Sequence, residues 1–189
     1  MILILTMAGK YTRFRNFSYE IPKYLLPISR RSVLHYVLKC FPNDIFERVV
    51  LIANNRDHRF KSQVIRTLEE FKYTKTDIIY VNDTILLNRN FEQYHKQLKI
   101  HDCLIDVFES NKSSYSYVLS KEKKVSHIIE KKVISNLASS GCYGFKNLNI
   151  GLECMLNSKE SYYISEGIMN MVLQNQDVIV SKNILKKTP

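Results

Sequence analysis

Strand-like and helix-like segments alternate along the first half of the chain, and this alternation constrains the fold more than any other feature. The chain opens with Met1–Thr6, an apolar run that ends at Ala8-Gly9 and is typical of a central strand covered on both faces. Further strands are predicted over Arg48–Ala53 and Asp77–Val81, and helices over Ser32–Phe41, Asp57–Phe71 and Phe91–Leu98. Such an order requires right-handed crossovers, so we predict an α/β fold with a mainly parallel sheet flanked by helices.

The second half of the chain is less regular. Short apolar segments separated by polar turns predict strands over Tyr115–Leu119, Val125–Glu130, Ser140–Phe145 and Asp177–Val180, and helices near Leu148–Leu156 and Ser165–Gln174. The sequence shows no internal repeat, low-complexity stretch or linker, and 189 residues suffice for one domain with a substantial core. We therefore predict a single domain over residues 1–189.

The net charge is positive, with 28 Lys and Arg residues against 18 Asp and Glu residues. The basic residues are scattered without a helical stripe or a nucleic-acid-binding motif, so we expect no nucleic-acid partner. A general positive bias still attracts polyanions such as nucleoside triphosphates. The longest apolar run, Met1–Leu5, is far too short to cross a bilayer, so we expect no membrane partner.

Four cysteines are widely spaced along the chain, at Cys40, Cys103, Cys142 and Cys154. Disulfide frameworks and metal cages usually have clustered cysteines, so we interpret these residues as reduced thiols of a cytoplasmic protein. The start of the chain also lacks the basic lead-in and cleavage region of a signal peptide. The five histidines show no spacing typical of metal ligands.

Small residues and two cations follow the first predicted strand. In an open parallel sheet, ligands bind at the carboxyl ends of the strands, and Met7-Ala8-Gly9 lies at such an end. The small residues let the backbone approach a phosphate closely, while Arg13 offers a planar fork and Lys23 a point charge. The pattern indicates a polyphosphate site, with the alternative that Gly9 only ends the strand.

A carboxylate follows the third predicted strand, in Asn82-Asp83. In the crevice at a strand end, a lone carboxylate is poorly solvated unless a cation shares it. Mg²⁺ binds through one or two carboxylates together with substrate phosphates, so we predict that Asp83 holds Mg²⁺. Asp is also a favoured helix N-cap, and the alternative is that Asp83 caps the turn or helix that follows.

Two segments near the start of the chain resemble a known family signature. Leu5–Phe14 (LTMAGKYTRF) and Pro22–Ile28 (PKYLLPI) are similar to the L-A-A/M-G-x-G-x-R-F and P-K-x-L-L-P-I segments of the sugar-1-phosphate pyrophosphorylases, a family of sugar-phosphate nucleotidyltransferases. Later segments follow the order of that family: Val81–Asp83, Ser114–Val118, Ile129–Lys131, Ala138–Phe145 and Tyr162–Ser165. The resemblance runs along most of the chain.

The resemblance implies a Rossmann-like nucleotide-diphospho-sugar transferase fold, with a mainly parallel or mixed sheet flanked by helices, and a Mg²⁺-dependent reaction. A nucleotide would be transferred from a nucleoside triphosphate to a sugar 1-phosphate or a similar phosphorylated alcohol, with release of pyrophosphate. Such enzymes supply precursors of surface polysaccharides such as capsule or lipopolysaccharide. Residues 1–100 would bind nucleotide and metal and residues 101–189 the sugar phosphate, and the many tyrosines leave a homodimer open.

The resemblance also implies roles for particular residues. Arg13 and Lys23 would be catalytic, and Met7, Ala8, Gly9, Arg13 and Asn82 would contact the nucleotide. Glu130, Lys131 and Gly141 would bind the sugar phosphate, and Asp83 and Glu166 would bind the metal. Alternatives come from the residues themselves: Glu130 and Lys131 are also readable as an exposed pair beside Lys132, Glu166 as a first-turn helix acid, and Tyr162-Tyr163 as packing residues.

The sequence departs from the family pattern at three points. Tyr11 replaces the second glycine of the phosphate loop, and the segment that helps to hold the base is missing between Phe71 and Ile78. Where many members have a second metal-binding Asp near the C-terminus, the nearest acid here is Glu166. Tyr11 and the missing segment favour a second hypothesis, a degenerate nucleotide-binding or sugar-nucleotide-binding regulatory protein without catalysis. A third hypothesis, a glycosyltransferase, is weaker because the sequence contains no D-x-D motif.

Overall fold

The structure is a computed structural model that describes residues 1–7, 21–46, 48–53, 55–72, 79–82, 90–157 and 163–182. For residues 55, 56, 79–82 and 182 it describes the backbone only. The chain divides into two units, the first formed by residues 1–76 and 81–87 and the second by residues 77–80 and 88–189. Each unit is therefore described by itself.

The first unit contains two parallel strands and a short hairpin. In chain order its elements are β1 (Ile2–Met7), a single 3-10 turn (Lys23–Leu25), β2 (Pro27–Ile28), β3 (Arg31–Ser32), α1 (Val33–Lys39), β4 (Arg48–Ala53), a 3-10 segment (Asn55–Phe60) and α2 (Lys61–Glu69). Strands β1 and β4 are parallel over their whole length, and β2 and β3 are antiparallel. This is the strand–helix–strand arrangement that the sequence predicts.

The core of the first unit lies against alternate residues of β1 and one face of α1. Leu3 and Leu5 are buried, as are Leu34 and Leu38 on the helix. Helix α1 begins after Ser32, whose side chain accepts a hydrogen bond from the backbone N–H of residue 35 at 3.2 Å. This cap and the apolar spacing explain why the helix begins where the sequence predicts.

Strand β4 is correctly predicted in position but not in burial. We expected a buried strand, whereas Val50 and Ile52 are 39% and 47% exposed. The strand pairs with β1 along one side and stands at the end of the strand order, so one of its edges has no strand beside it in the described part of the chain. Helix α2 likewise has no buried residue, and Ile65 on its apolar side is 42% exposed.

The described residues of the second unit form a mixed sheet and three helices. Its elements are α3 (Phe91–Ile100), β6 (Cys103–Glu109), β7 (Tyr117–Lys121), β8 (Lys124–Ile129), β9 (Leu137–Phe145), α4 (Leu148–Leu156), α5 (Ile164–Leu173) and β10 (Val178–Lys182). Within this unit the strand order is β9-β6-β10-β8-β7. Strands β6 and β10 are parallel and the other neighbours antiparallel, so the sheet is mixed. Strand β5 (Ile79–Asn82) contributes residues to both units.

Strand β6 was not predicted, although its residues Cys103–Val107 are all buried. The run is interrupted by Asp106, and an acidic residue within an apolar run argues against a buried strand. In the structure the Asp106 carboxylate is fully buried and accepts a hydrogen bond from the Tyr94 hydroxyl of α3. A buried acid is tolerated when such a donor satisfies it, and only the packing of α3 on the strand reveals the donor.

The predicted fold class, an α/β fold with a mainly parallel or mixed sheet flanked by helices, is confirmed. Predicted and observed helices agree closely in two cases. Helix α3 buries the predicted apolar face, Phe91, Tyr94 and Leu98, and α4 has the predicted bounds, Leu148–Leu156. Among the described residues, no helix is both long enough and apolar enough to cross a bilayer. The single-domain organisation and the cytoplasmic location stay predictions.

Candidate functional site

Lys23 lies on the one-turn 3-10 helix that follows the first gap in the described chain. Its side chain is exposed, whereas its neighbours Pro22 and Tyr24 are buried and fix the backbone on both sides. The turn is closed by a hydrogen bond from the N–H of Leu25 to the carbonyl of Pro22 at 2.9 Å. The cation that the sequence predicts to be catalytic is therefore presented to solvent from a fixed backbone position.

The turn that carries Lys23 is anchored through its next residue. The hydroxyl of Tyr24 lies 3.5 Å from the Asp57 carboxylate, to which it donates, and both residues are buried. Burial, together with the negative charge and hydrogen bond of Asp57, raises the pKa of Tyr24 to about 12. Asp57 has no predicted role in the sequence, because a contact that spans more than thirty residues leaves no local pattern.

The other nucleotide and metal residues of the first unit are mostly undescribed. Met7 is buried and is the last residue of β1, one residue beyond the end of the predicted strand. Ala8, Gly9, Arg13 and Asp83 lie outside the described residues, and Asn82 ends β5 with its backbone alone described. Their predicted roles therefore stay predictions.

Glu130 is at the centre of a polar cluster in the second unit. Its Oε2 accepts hydrogen bonds from two serine hydroxyls, Ser116 before β7 and Ser165 at the start of α5, the latter at 3.1 Å. Its other oxygen, Oε1, lies 3.7 Å from Lys131 Nζ. Two segments distant in sequence thus converge on the Glu130 carboxylate, which is only 22% exposed. Glu130 and Lys131 are brought together as a pair, but the pair is built into the fold and is not merely a surface ion pair.

Lys131 extends this cluster toward the N-terminus of α5. Its ammonium donates to the hydroxyl of Tyr163 at 2.9 Å and lies 4.7 Å from the centre of that ring. The hydrogen bond to Tyr163 is the main cause that raises the pKa of Lys131, and the charge of Glu130 adds to it. Tyr163 was interpreted as a packing residue, but its side chain is 45% exposed and acts as a polar partner.

The backbone at Lys131 is in the left-handed region, with φ of 53°. A residue with a Cβ is uncommon there and costs energy that the rest of the structure must offset. An ion pair with Glu130 does not by itself require this conformation. The left-handed backbone determines the direction in which the Lys131 side chain projects from the turn between β8 and β9.

Gly141 lies in an irregular part of β9, where its φ is 83° and a glycine is favoured. The pairing with β6 shifts here, so that Asp106 alone faces residues 140–142. The N–H of Gly141 donates to the Ser139 hydroxyl at 3.1 Å. The predicted role of Gly141 in binding the sugar phosphate stays a prediction.

Glu166 occupies the first turn of α5, where an acidic side chain is favoured by the helix dipole. The described residues contain no group of three or more His, Cys, Asp or Glu side chains placed to hold a metal ion. The position of Glu166 in the first turn of α5 thus fits an acid that is stabilised by the helix dipole, and its role as a metal ligand stays a prediction.

None of the four cysteines, all within the described ranges, forms a disulfide bond. Burial raises the pKa of the Cys103 thiol far above its ordinary value, so the thiol stays protonated. Cys103 is therefore a core residue without nucleophilic character.

Sequence reasoning missed the residues that hold Glu130 and Lys131 in place. Ser116, Tyr163 and Ser165 are distant from Glu130 in sequence, and no local spacing links them to it. The available signal was the two segments Ser114–Val118 and Tyr162–Ser165, which resemble the family and contain all three residues.

The mixed sheet with flanking helices defines a fold class. The chain has the fold of the sugar-phosphate nucleotidyltransferases. No protein-family model matches the sequence, and no curated protein matches it either.

Several solved pyrophosphorylase structures are similar over nearly the whole chain. A UDP-glucose pyrophosphorylase complexed with UDP-glucose has a TM-score of 0.77 at 14% identity, covering 96% of this chain and 90% of that one. The UDP-glucose pyrophosphorylase from Acinetobacter baumannii has a TM-score of 0.73 at 17% identity, covering 96% of this chain and 86% of that one. The nucleoside-diphosphate-sugar pyrophosphorylase from Vibrio cholerae RC9 has a TM-score of 0.70 at 16% identity, covering 98% of this chain and 93% of that one. At these identities the likeness is one of fold.

Proposed function

We propose that this protein is a nucleotidyltransferase that makes nucleotide sugars. An oxygen of a sugar 1-phosphate, or of a similar phosphorylated alcohol, attacks the α-phosphorus of a nucleoside triphosphate. The bond from the α-phosphorus to the bridging oxygen breaks, and pyrophosphate leaves with the electron pair. The attacking oxygen is already anionic, so the reaction needs positioning and charge neutralisation more than a strong base.

The observation that carries this proposal is the fold likeness to nucleotide-sugar pyrophosphorylases over 96–98% of the chain. Fold alone does not specify chemistry, so the proposal also depends on the residues at the matching motifs. Lys23 stands in the P-K-x-L-L-P-I segment, and Lys131 follows Glu130 in the later one.

The proposed roles follow from charge and exposure. Lys23 neutralises the α-phosphate and the attacking phosphate, and Arg13 with the backbone of Ala8-Gly9 binds the β- and γ-phosphates. Lys131 anchors the phosphate of the acceptor, because its ammonium is exposed yet fixed by Tyr163. Two serine hydroxyls donate to Oε2 of Glu130, and its Oε1 lies near Lys131 and accepts hydrogen bonds from the acceptor hydroxyls.

Carboxylate oxygens suit a hard cation such as Mg²⁺, and in chemical type Asp83 and Glu166 fit that ion. When bound, the ion supplies compensation for the negative charge of the phosphates. The base, the acceptor, a homodimer and a role in capsule or lipopolysaccharide precursor synthesis stay predictions.

The test is pyrophosphate release from a panel of nucleoside triphosphates, each with a panel of sugar 1-phosphates, with Mg²⁺ and with EDTA. We expect turnover with at least one pair, loss with EDTA, and loss in Lys23→Ala without a change in the circular dichroism spectrum. Lys39→Ala, which removes an exposed lysine from α1 of the same unit, is the matched control and should keep full activity.

The regulatory hypothesis makes a different prediction for the same panel. A degenerate protein would bind a nucleotide or a sugar nucleotide and release no pyrophosphate with any pair. Saturable binding by calorimetry without turnover would therefore replace the enzyme proposal with the regulatory one. Undiminished turnover in Lys23→Ala would remove the role given to that residue.

A further inference from the structure

We propose that the first unit contains a separate binding site for a small phosphate-type oxyanion. The site is a cleft of about 240 Å³ between the β2–β3 hairpin, α1 and α2, here called the arginine cleft. The residues that define it are Arg30, Arg31, His35, Arg66 and Glu70. Lys23 is not among the residues that line the arginine cleft. Binding of an anion in the cleft, and the experiment that tests it, do not depend on the proposed enzymatic function.

The charges in the arginine cleft do not balance. Glu70 is its one carboxylate, and both of its oxygens lie within hydrogen-bond distance of Arg31 Nη1, at 2.8 and 2.9 Å. His35 Nδ1 lies 3.1 Å from the same carboxylate. The guanidinium groups of Arg30 and Arg66 form no ion pair and no hydrogen bond with any residue that the structure describes. Two guanidinium charges in the cleft therefore have no protein partner.

A phosphate-type oxyanion matches what these two arginines lack. A guanidinium offers planar paired donors that fit phosphate oxygens, and one anion shared between two guanidinium groups relieves their mutual repulsion. The cleft is smaller than the roughly 300–1,000 Å³ of pockets for drug-sized ligands. Its size therefore fits phosphate, pyrophosphate or the phosphate end of a larger molecule, and does not fit an enclosed nucleoside triphosphate.

The hairpin that carries Arg30 is held in an unusual conformation. Ile28 pairs with Arg31, so the loop consists of Ser29 and Arg30, and Ser29 has φ of 59°. Two-residue hairpin loops use glycine or asparagine at such positions, and a serine there costs energy. The sequence thus keeps a strained loop that places one arginine at its tip and another, Arg31, on the adjoining strand. Strain of this kind is concentrated at sites that clamp ligands.

The test is isothermal titration of the full chain with potassium phosphate at constant ionic strength set with NaCl. We expect saturable binding by the parent, and affinity about tenfold weaker or worse in Arg30→Gln/Arg66→Gln, as for loss of charge-assisted hydrogen bonds. Each single variant should fall between the two. The matched control is Arg48→Gln, which removes an exposed arginine of the same unit outside the cleft and should bind like the parent.

Two further arms separate the arginine cleft from other phosphate sites and identify the natural source of the anion. Lys23→Ala should lose any phosphate binding at the proposed catalytic site and keep the binding that Arg30→Gln/Arg66→Gln weakens, which separates the two sites. Pyrophosphate and a sugar phosphate are titrated in parallel, and whichever binds most tightly identifies the source. Absence of saturable binding by the parent, equal binding by the parent and the double variant, or loss in Lys23→Ala of the binding that the double variant weakens would each overturn the proposal. Melting temperatures near that of the parent verify that the variants are folded.

Discussion

Lys131 donates a hydrogen bond to the Tyr163 hydroxyl at 2.9 Å, and its ammonium lies 4.7 Å from the centre of the same ring. A lysine side chain has many rotamers, and fixing it at an exposed position has an entropic cost. Here the backbone is also in the left-handed region. The cation is thus held ready in one place at the start of α5, which is what recognition of a phosphate requires.

Replacing Tyr163 with phenylalanine should lower the pKa of Lys131, because the hydrogen bond to Tyr163 is the main cause of its raised value. A raised lysine pKa stabilises the folded state fully below the unfolded value of about 10.4, and this contribution is lost as pH rises through the folded pKa. NMR titration of ¹³C-labelled lysines between pH 8 and 12 measures the shift. An unchanged midpoint in the variant would contradict the assignment.

Removing the ammonium of Lys131 should weaken binding of the acceptor. For Lys131→Ala we expect kcat/KM for the sugar phosphate to fall about 10- to 100-fold, mainly through KM, as for loss of a charged hydrogen bond. The matched control is Lys132→Ala, the exposed neighbour, which should leave both constants unchanged. Equal effects of the two substitutions would indicate only a general influence of positive charge.

The serine donors to Glu130 should contribute to stability. Ser165 is 2% exposed, and Ser165→Ala should lower the free energy of unfolding by about 1.5–3 kcal/mol, as for a hydrogen bond to a charged group. Urea unfolding with an unchanged m-value provides the measurement. In Ser126→Ala, where an exposed hydroxyl donates to the carbonyl of Leu119, we expect a change below about 0.5 kcal/mol. A loss in Ser165→Ala no larger than this control would show that the contact to Glu130 is not stabilising.

Tyr24 should ionise at a higher pH than an ordinary tyrosine. Its pKa is raised to about 12, so its contribution to the free energy of unfolding is fully present below about pH 10 and is lost as pH rises through 12. Ultraviolet titration of the parent minus that of Tyr24→Phe isolates this residue from the other tyrosines. A difference curve with a midpoint near 10 would mean that the Tyr24–Asp57 contact does not form in solution.

Helices α4 and α5 approach closely at Gly167. A Cβ at this position would lie 3.0 Å from the Cα of Met155 and would also meet its side chain. We expect Gly167→Ala to lower stability by about 1–3 kcal/mol, despite the roughly 1 kcal/mol by which alanine favours a helix. Because the clash is partly with the Met155 side chain, adding Met155→Ala should cost less than the sum of the single changes. Strict additivity would show that the helices separate freely.

Local patterns predicted most of the helices and strands correctly. Helix α1 begins at a serine cap followed by apolar residues at helical spacing, and α3 buries the three residues that its pattern indicates. Strands β1 and β4 were located by short apolar runs between turns. These features are readable because each depends on residues close together in the chain.

Burial and side-chain pairing were predicted less well. The apolar run of β4 predicted a buried strand, but an edge position leaves Val50 and Ile52 exposed. No strand was predicted at β6, where the apolar run contains Asp106 and the partner of that acid, Tyr94, lies on a separate helix. In both cases the outcome depends on what packs beside the strand, which its own residues do not specify.

The sequence alone determined most of the helices and strands, the lysine after the first strand and the Glu130-Lys131 pair, because motifs and periodicity depend on residues close together in the chain. Tertiary structure alone decided that two serines hold Glu130, that Tyr163 holds Lys131 and that Arg30 and Arg66 share a cleft. Hydrogen bonds and charge clusters form between side chains that meet in space, and residues far apart in the chain meet only after the fold has formed.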